Sequence, residues 1–91
     1  MTKIVKEKAL IQNRKGLHAR ASAQVVKVAE LYGATTYISY QDMRVPAGSI
    51  MGLLMLGAGQ GSCIVIEAEG QDAEEAVSAI ADLIKNNFGE G

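Results

Sequence analysis

A single cysteine, Cys63, leaves the chain unable to close a disulfide within itself. No stretch is long enough to cross a bilayer: the longest nearly uninterrupted apolar run, Ile50 to Ala58, falls well short of the roughly 20 residues required. The first seven residues hold no signal-peptide core, because Lys3, Lys6 and Glu7 interrupt them. These absences predict a cytoplasmic protein. A formal net charge of −1 provides no basic field for nucleic acid or an anionic membrane. One histidine and one cysteine cannot furnish a zinc site, and no other metal or cofactor is called for. No spacing suggests a Ser-His-Asp set, and no Gly-x-Ser-x-Gly occurs. Gly57-Ala58-Gly59-Gln60-Gly61 lacks the Gly-Lys-Ser/Thr of a nucleotide loop and leads into a strand. There is no internal repeat and no linker.

What is present is an ordinary globular composition, 48% hydrophobic and 21% charged. Ninety-one residues are too few for two cores, so one domain is expected over 1–91. Little room remains for a deep pocket, which argues against an enzyme that must enclose its substrate.

Seven elements are predicted. Ile4 to Gln12 reads as a strand, and Asn13-Arg14-Lys15-Gly16 has turn chemistry. From Ala19 to Tyr32, Val25, Val26, Val28, Ala29 and Tyr32 share a helical face, with Gly33 placed to end the helix in a left-handed conformation. Thr35 to Tyr40 and Met43 to Val45 are predicted strands, the second ended by Pro46. Ser49 opens a short helix through Leu56, and Ser62 to Glu69 is a strand with Ile64, Ile66 and Ala68 on one face. Asp72 and Glu75 form a capping box for a last helix striped by Ala76, Val77, Ile80, Leu83 and Ile84 and ended by Asn87 and Gly89. The order βαββαβα implies a two-layer α+β domain.

The only histidine lies in Asn13-Arg14-Lys15-Gly16-Leu17-His18-Ala19-Arg20, which also holds three of the nine Lys and Arg residues. His18 stands where Ser, Thr, Asp or Asn would ordinarily cap the helix. The first-turn amides therefore stay free, and with the helix dipole they make an anion site. A ring nitrogen beside it can act as a nucleophile, and a phosphoryl group placed there would meet the amides and Arg20. The competing reading, a surface histidine between basic neighbours, weighs equally on these residues alone.

Gly16-Leu17-His18-Ala19-Arg20 resembles the active-site signature of HPr, the histidine-containing phosphocarrier of the bacterial phosphoenolpyruvate phosphotransferase system. Ser49-Ile50-Met51-Gly52-Leu53-Leu54-Met55-Leu56-Gly57 resembles the family's serine-site helix, and the likeness extends along essentially the whole chain. The resemblance implies an open-faced sandwich of a four-stranded antiparallel sheet with three helices on one face. It implies phosphorylation of His18 at the ring nitrogen nearer the backbone, assisted by Arg20 and the amides from Ala19 onward. It implies enzyme I as donor and a IIA-type protein as acceptor, in a sugar-transport or a nitrogen-related regulatory branch. A monomeric carrier, not an autonomous enzyme, is expected. One departure is Ala21, where the family usually has proline; alanine restores an N–H and loosens the helix start.

Ser49 has two readings: a plain helix cap, or, by resemblance, a regulatory site for a serine kinase/phosphorylase. Gly48 departs from a lysine frequent before that serine. Leu53 and Leu56 suit the core, whereas Ile50, Met51 and Leu54 form a second stripe expected to dock partners together with Leu17. Cys63, facing away from Ile64 and Ile66, is expected to be a half-buried inert thiol. A purely regulatory binding module of the same fold is the alternative function; the presence of His18 speaks against it.

Overall fold

The computed structural model describes residues 3–90; positions 1, 2 and 91, which the expected domain also spans, lie outside the described residues. The elements are β1 (Ile4–Leu10), α1 (Ala19–Ala29), β2 (Ala34–Tyr40), β3 (Met43–Pro46), α2 (Ile50–Met55), β4 (Cys63–Gly70) and α3 (Ala73–Lys85), followed by a 3₁₀ turn at Asn87–Gly89. The strands form one sheet in the order β1-β4-β2-β3, every adjacent pair antiparallel. The last strand thus inserts between the first two, which run parallel to each other and are joined by α1.

Period-two alternation aims the apolar side chains of the strands at one face. Ile38 opposes Ile66 on one side and Val45 on the other, and Ala9 opposes Ile64, so the buried side chains line up across the sheet. Ala76, Val77, Ile80 and Ile84 of α3 are buried with them, and Leu83 is half-buried at the margin of the stripe. The three helices cover this face, giving the expected open-faced sandwich. On the other face Arg44 stacks over the Tyr37 ring, 3.7 Å from its centroid, and reaches Glu67 at 3.3 Å.

The termini of several elements differ from the sequence expectation. β1 ends at Leu10, yet the strand partner is kept: the Ile11 N–H donates to the Ser62 carbonyl at 2.9 Å, and the Gly61 N–H donates to the Ile11 carbonyl at 2.8 Å. α1 ends at Ala29, after which Leu31 and Tyr32 close tighter i→i+3 bonds at 3.1 and 3.4 Å. Gly33 does not adopt the left-handed conformation. Its importance is close approach: its N–H donates to Asp72 Oδ2 at 2.7 Å, and a Cβ there would lie 3.2 Å from that oxygen.

That contact also overturns the capping box. The Asp72 carboxylate makes no bond to the first turn of α3, and its backbone (φ −102°, ψ 26°) is not extended as a capping residue requires. The carboxylate instead ties the start of α3 to the start of β2. Pro46 lies inside β3 as its last residue, tolerated because β3 is an edge strand. Cys63 is exposed, not half-buried, since it opens β4 on the uncovered face opposite Leu10.

Candidate functional site

The loop between β1 and α1 is held from several directions. Gly16 N–H donates to the Asn13 carbonyl at 3.1 Å, and Asn13 Nδ2 donates to the Gly16 carbonyl at 2.9 Å. Gly16 has φ +64°, and a Cβ at this position would stand 2.6 Å from both the Ala58 carbonyl oxygen and Gly59 Cα. Leu17 N–H donates to the Ala58 carbonyl at 2.9 Å. The loop is thereby fixed onto the Gly57–Gly61 segment. Leu17 is only 6% exposed and belongs to the core. It therefore leaves the docking stripe in which the sequence placed it, because its side chain has almost no surface to offer a partner.

His18 is the residue that caps α1, with extended backbone (φ −78°, ψ −177°), and its ring makes no capping bond. Its carbonyl accepts from the Ser22 N–H at 2.8 Å. The amides of Ala19, Arg20 and Ala21 precede that first intrahelical bond and have no helical partner. Ala21 is fully buried, whereas Ala19 and Arg20 are exposed. Arg20 makes no ion pair among the described residues. It lines a polar cleft with Asn13, Arg14, Lys15, Asn87 and Glu90.

Glu90 is the participant that the sequence did not disclose. Its Oε2 contacts His18 Nε2, and its Oε1 accepts from Asn13 Nδ2 at 3.1 Å. The two residues are far apart in the chain, and the turn after α3 joins them. Asn87, Phe88 and Gly89 have φ of 55°, 56° and 78°, three successive left-handed residues that reverse the backbone. A phenylalanine there is unusual and must be held by its surroundings. Phe88 is 3% exposed within the core.

Burial at the cleft works to raise the Glu90 carboxyl, but hydrogen bonds from His18 and Asn13 and the positive charge of His18 and Lys15 outweigh it and hold the group below its ordinary 4.5. A depressed folded-state value means that this docking stabilises the fold above the ordinary carboxylate range and fades as pH falls through the lower folded value. Amide resonances of Asn87 to Glu90 are thus expected to hold still from neutral pH down to about pH 5 and to move toward unstructured positions below it. Native resonance positions kept at a pH low enough to protonate the carboxylate would contradict the assignment.

On α2, Ser49 has extended backbone, and its Oγ accepts from the Gly52 N–H at 3.0 Å, the geometry of a helix cap. Leu53 and Leu56 are buried. Ile50, Met51 and Leu54 are exposed, and Met55, which the sequence left unassigned, joins them. Gly52 lets the helix sit close to β3, since a Cβ there would be 3.0 Å from Val45 Cβ. α2 packs against α1, the helix that His18 caps.

The family described as the PTS HPr component phosphorylation site matches residues 5–86 of this chain. The chain belongs to the HPr family. A phosphocarrier protein HPr of Neisseria meningitidis is 42% identical over 88 residues, covering 97% of this chain and 99% of its own length. The HPr of Cupriavidus necator is 46% identical over 81 residues, covering 89% and 91% respectively. Among solved structures, an HPr from Thermoanaerobacter tengcongensis superposes with a TM-score of 0.91 at 39% identity, covering 96% of this chain and 98% of its own. These HPr relatives are phosphocarriers by name. No helix among the described residues of this HPr-family chain is long and apolar enough to cross a membrane.

Proposed function

We propose that this HPr-family protein accepts a phosphoryl group on His18 Nδ1 from enzyme I, charged by phosphoenolpyruvate, and passes it to a IIA-type protein. The observation that carries the reading is the state of the His18 ring. It caps α1 without bonding to the helix, Nε2 is engaged by Glu90, and Nδ1 has no hydrogen-bond partner among the described residues. A neutral imidazole so held presents its lone pair at Nδ1. In transfer that lone pair forms the N–P bond, and the bond from phosphorus to the donor breaks with its electron pair going to the donor. Onward transfer reverses the sequence: the acceptor attacks phosphorus, and the electron pair of the N–P bond returns to Nδ1.

The amides of Ala19 and Arg20 and the Arg20 guanidinium are the stabilising groups for the transferred oxygens. A helix-terminus interaction is worth only about 0.3–1 kcal/mol, which suits a group that must leave again. The chain acts as a monomeric cytoplasmic carrier without a cofactor and turns over no small molecule alone. Either a sugar-transport or a nitrogen-related chain of transfers is served by this chemistry. Incubation with enzyme I and phosphoenolpyruvate is expected to add the mass of one acid-labile phosphate, and His18→Ala is expected to add none. Labelling of His18→Ala under the same conditions contradicts the proposal.

Ser49 fits regulation by a serine kinase/phosphorylase, because a charge there would lie beside exposed Ile50 and Met51. A phosphate brings roughly −1.5 to −2 charge, favourable at a helix N-terminus but unfavourable against an apolar partner surface. Ser49→Asp is expected to melt at the wild-type temperature or above while accepting phosphate from enzyme I more slowly. Wild-type transfer by this variant would leave Ser49 as a helix cap alone.

A further inference from the structure

We infer that Glu90 is a positioning residue for phosphoryl transfer: by accepting from Nε2–H it holds the His18 ring in the tautomer that leaves Nδ1 free. The inference rests on His18 being the phosphoryl acceptor. A neutral imidazole carries one N–H, and the nitrogen that bears it is decided by the hydrogen bond the ring makes. A carboxylate only accepts, so its contact with Nε2 requires the proton there and leaves the lone pair on Nδ1.

The carboxylate is itself held. Asn13, 5% exposed, divides its amide between the Gly16 carbonyl, 2.9 Å away, and Glu90 Oε1, 3.1 Å away. One side-chain amide thus links the glycine that shapes the histidine loop to the carboxylate that orients the histidine. Phe88 anchors the backbone on the other side of Glu90. Arg14, Lys15 and Arg20 line the same cleft, and Glu90 is its only carboxylate among the described residues. The anionic form therefore faces cations and no like charge.

The arrangement also meets the charge that transfer creates. When Nδ1 forms its bond to phosphorus and Nε2 keeps its proton, the ring becomes cationic. The Glu90 carboxylate lies against that cation and takes up no proton. When the phosphoryl group leaves, the N–P electron pair returns to Nδ1 and the ring is again the neutral Nε2–H tautomer. This is the relation a buried carboxylate has to the general-base histidine of a serine hydrolase, with a nucleophilic histidine in place of the base.

The test uses the full-length chain labelled with ¹⁵N in the histidine ring, in mildly alkaline buffer. In the wild type, Nδ1 is expected to resonate as an unprotonated nitrogen and Nε2 as a protonated one. In Glu90→Ala both are expected to move toward the averaged positions of mixed tautomers. Glu90→Gln, whose amide oxygen still accepts, is expected to restore the wild-type pattern but not the charge. Acceptance of phosphate from enzyme I and phosphoenolpyruvate is expected to slow by about tenfold or more in Glu90→Ala, with Glu90→Gln between it and the wild type. Wild-type ring resonances in folded Glu90→Ala overturn the inference, even if the variant melts lower, because a merely structural Glu90 would change stability alone. A changed tautomer with an unchanged transfer rate overturns its place in transfer. Phosphate found on His18→Ala, with the ring response to Glu90→Ala intact, overturns the acceptor assignment itself, and the two failures are thereby told apart.

Discussion

Phe88→Ala is expected to destabilise the fold by about 3–5 kcal/mol, the usual cost of truncating a buried phenylalanine. The side chain is 3% exposed and sits in the same core as Ile80 and Ile84. For a chain of this size about 1 kcal/mol corresponds to 4–8 °C, so the melting temperature is expected to fall by about 12 °C or more. The second consequence is functional. Phe88 is the anchor of the left-handed turn that carries Glu90 to His18. Without it, Glu90 is expected to leave the imidazole and the ring to lose its single tautomer, even at temperatures where the variant remains folded. A melting temperature within a few degrees of wild type, with unchanged ring resonances, would mean that the turn is held by something other than Phe88.

Met51→Asp is expected to weaken binding to enzyme I by about 30-fold or more, the effect of losing a hot-spot side chain worth at least 2 kcal/mol. Met51 is 71% exposed, so the fold gives little up. It lies in the first turn of α2, where a negative charge is favourable. Surface substitutions of this kind ordinarily change stability by less than about 0.5 kcal/mol. Weak binding by a chain with wild-type melting behaviour is therefore the expected pairing. An unchanged dissociation constant in the folded variant would remove Ile50, Met51 and Leu54 from the docking surface.

The contrast between Phe88 and Met51 shows which parts of this molecule could be read along the chain. Met51 belongs to a short helix with more apolar residues than one buried face can take, and that surplus is visible in the sequence. The placement of His18 at an uncapped helix start was legible for a similar reason: helix ends have a strong residue preference, and histidine violates it. A two-layer α+β domain follows from alternation in the strands and the stripe on α3, whereas the antiparallel sheet entered through the family resemblance. Its strand order came only with the structure, since neither periodicity nor the residues that carry the family resemblance say that β4 lies between β1 and β2. Glu90 lay beyond any local signal, because its meaning depends on a turn that three positive φ angles create. Asp72 misled for a related reason. Its spacing to Glu75 satisfies a local capping pattern, but the amide of Gly33, brought close by the fold, takes the carboxylate instead.

The most direct test of the account is where the phosphorus is attached. Full-length protein carrying ¹⁵N in the ring of its single histidine would be phosphorylated with enzyme I and phosphoenolpyruvate and observed by NMR. The account predicts a one-bond ¹⁵N–³¹P coupling at Nδ1 of His18, with Nε2 still protonated beside Glu90. Phosphorus coupled to Nε2, or a phosphorylated chain with no coupling to either ring nitrogen, would contradict it.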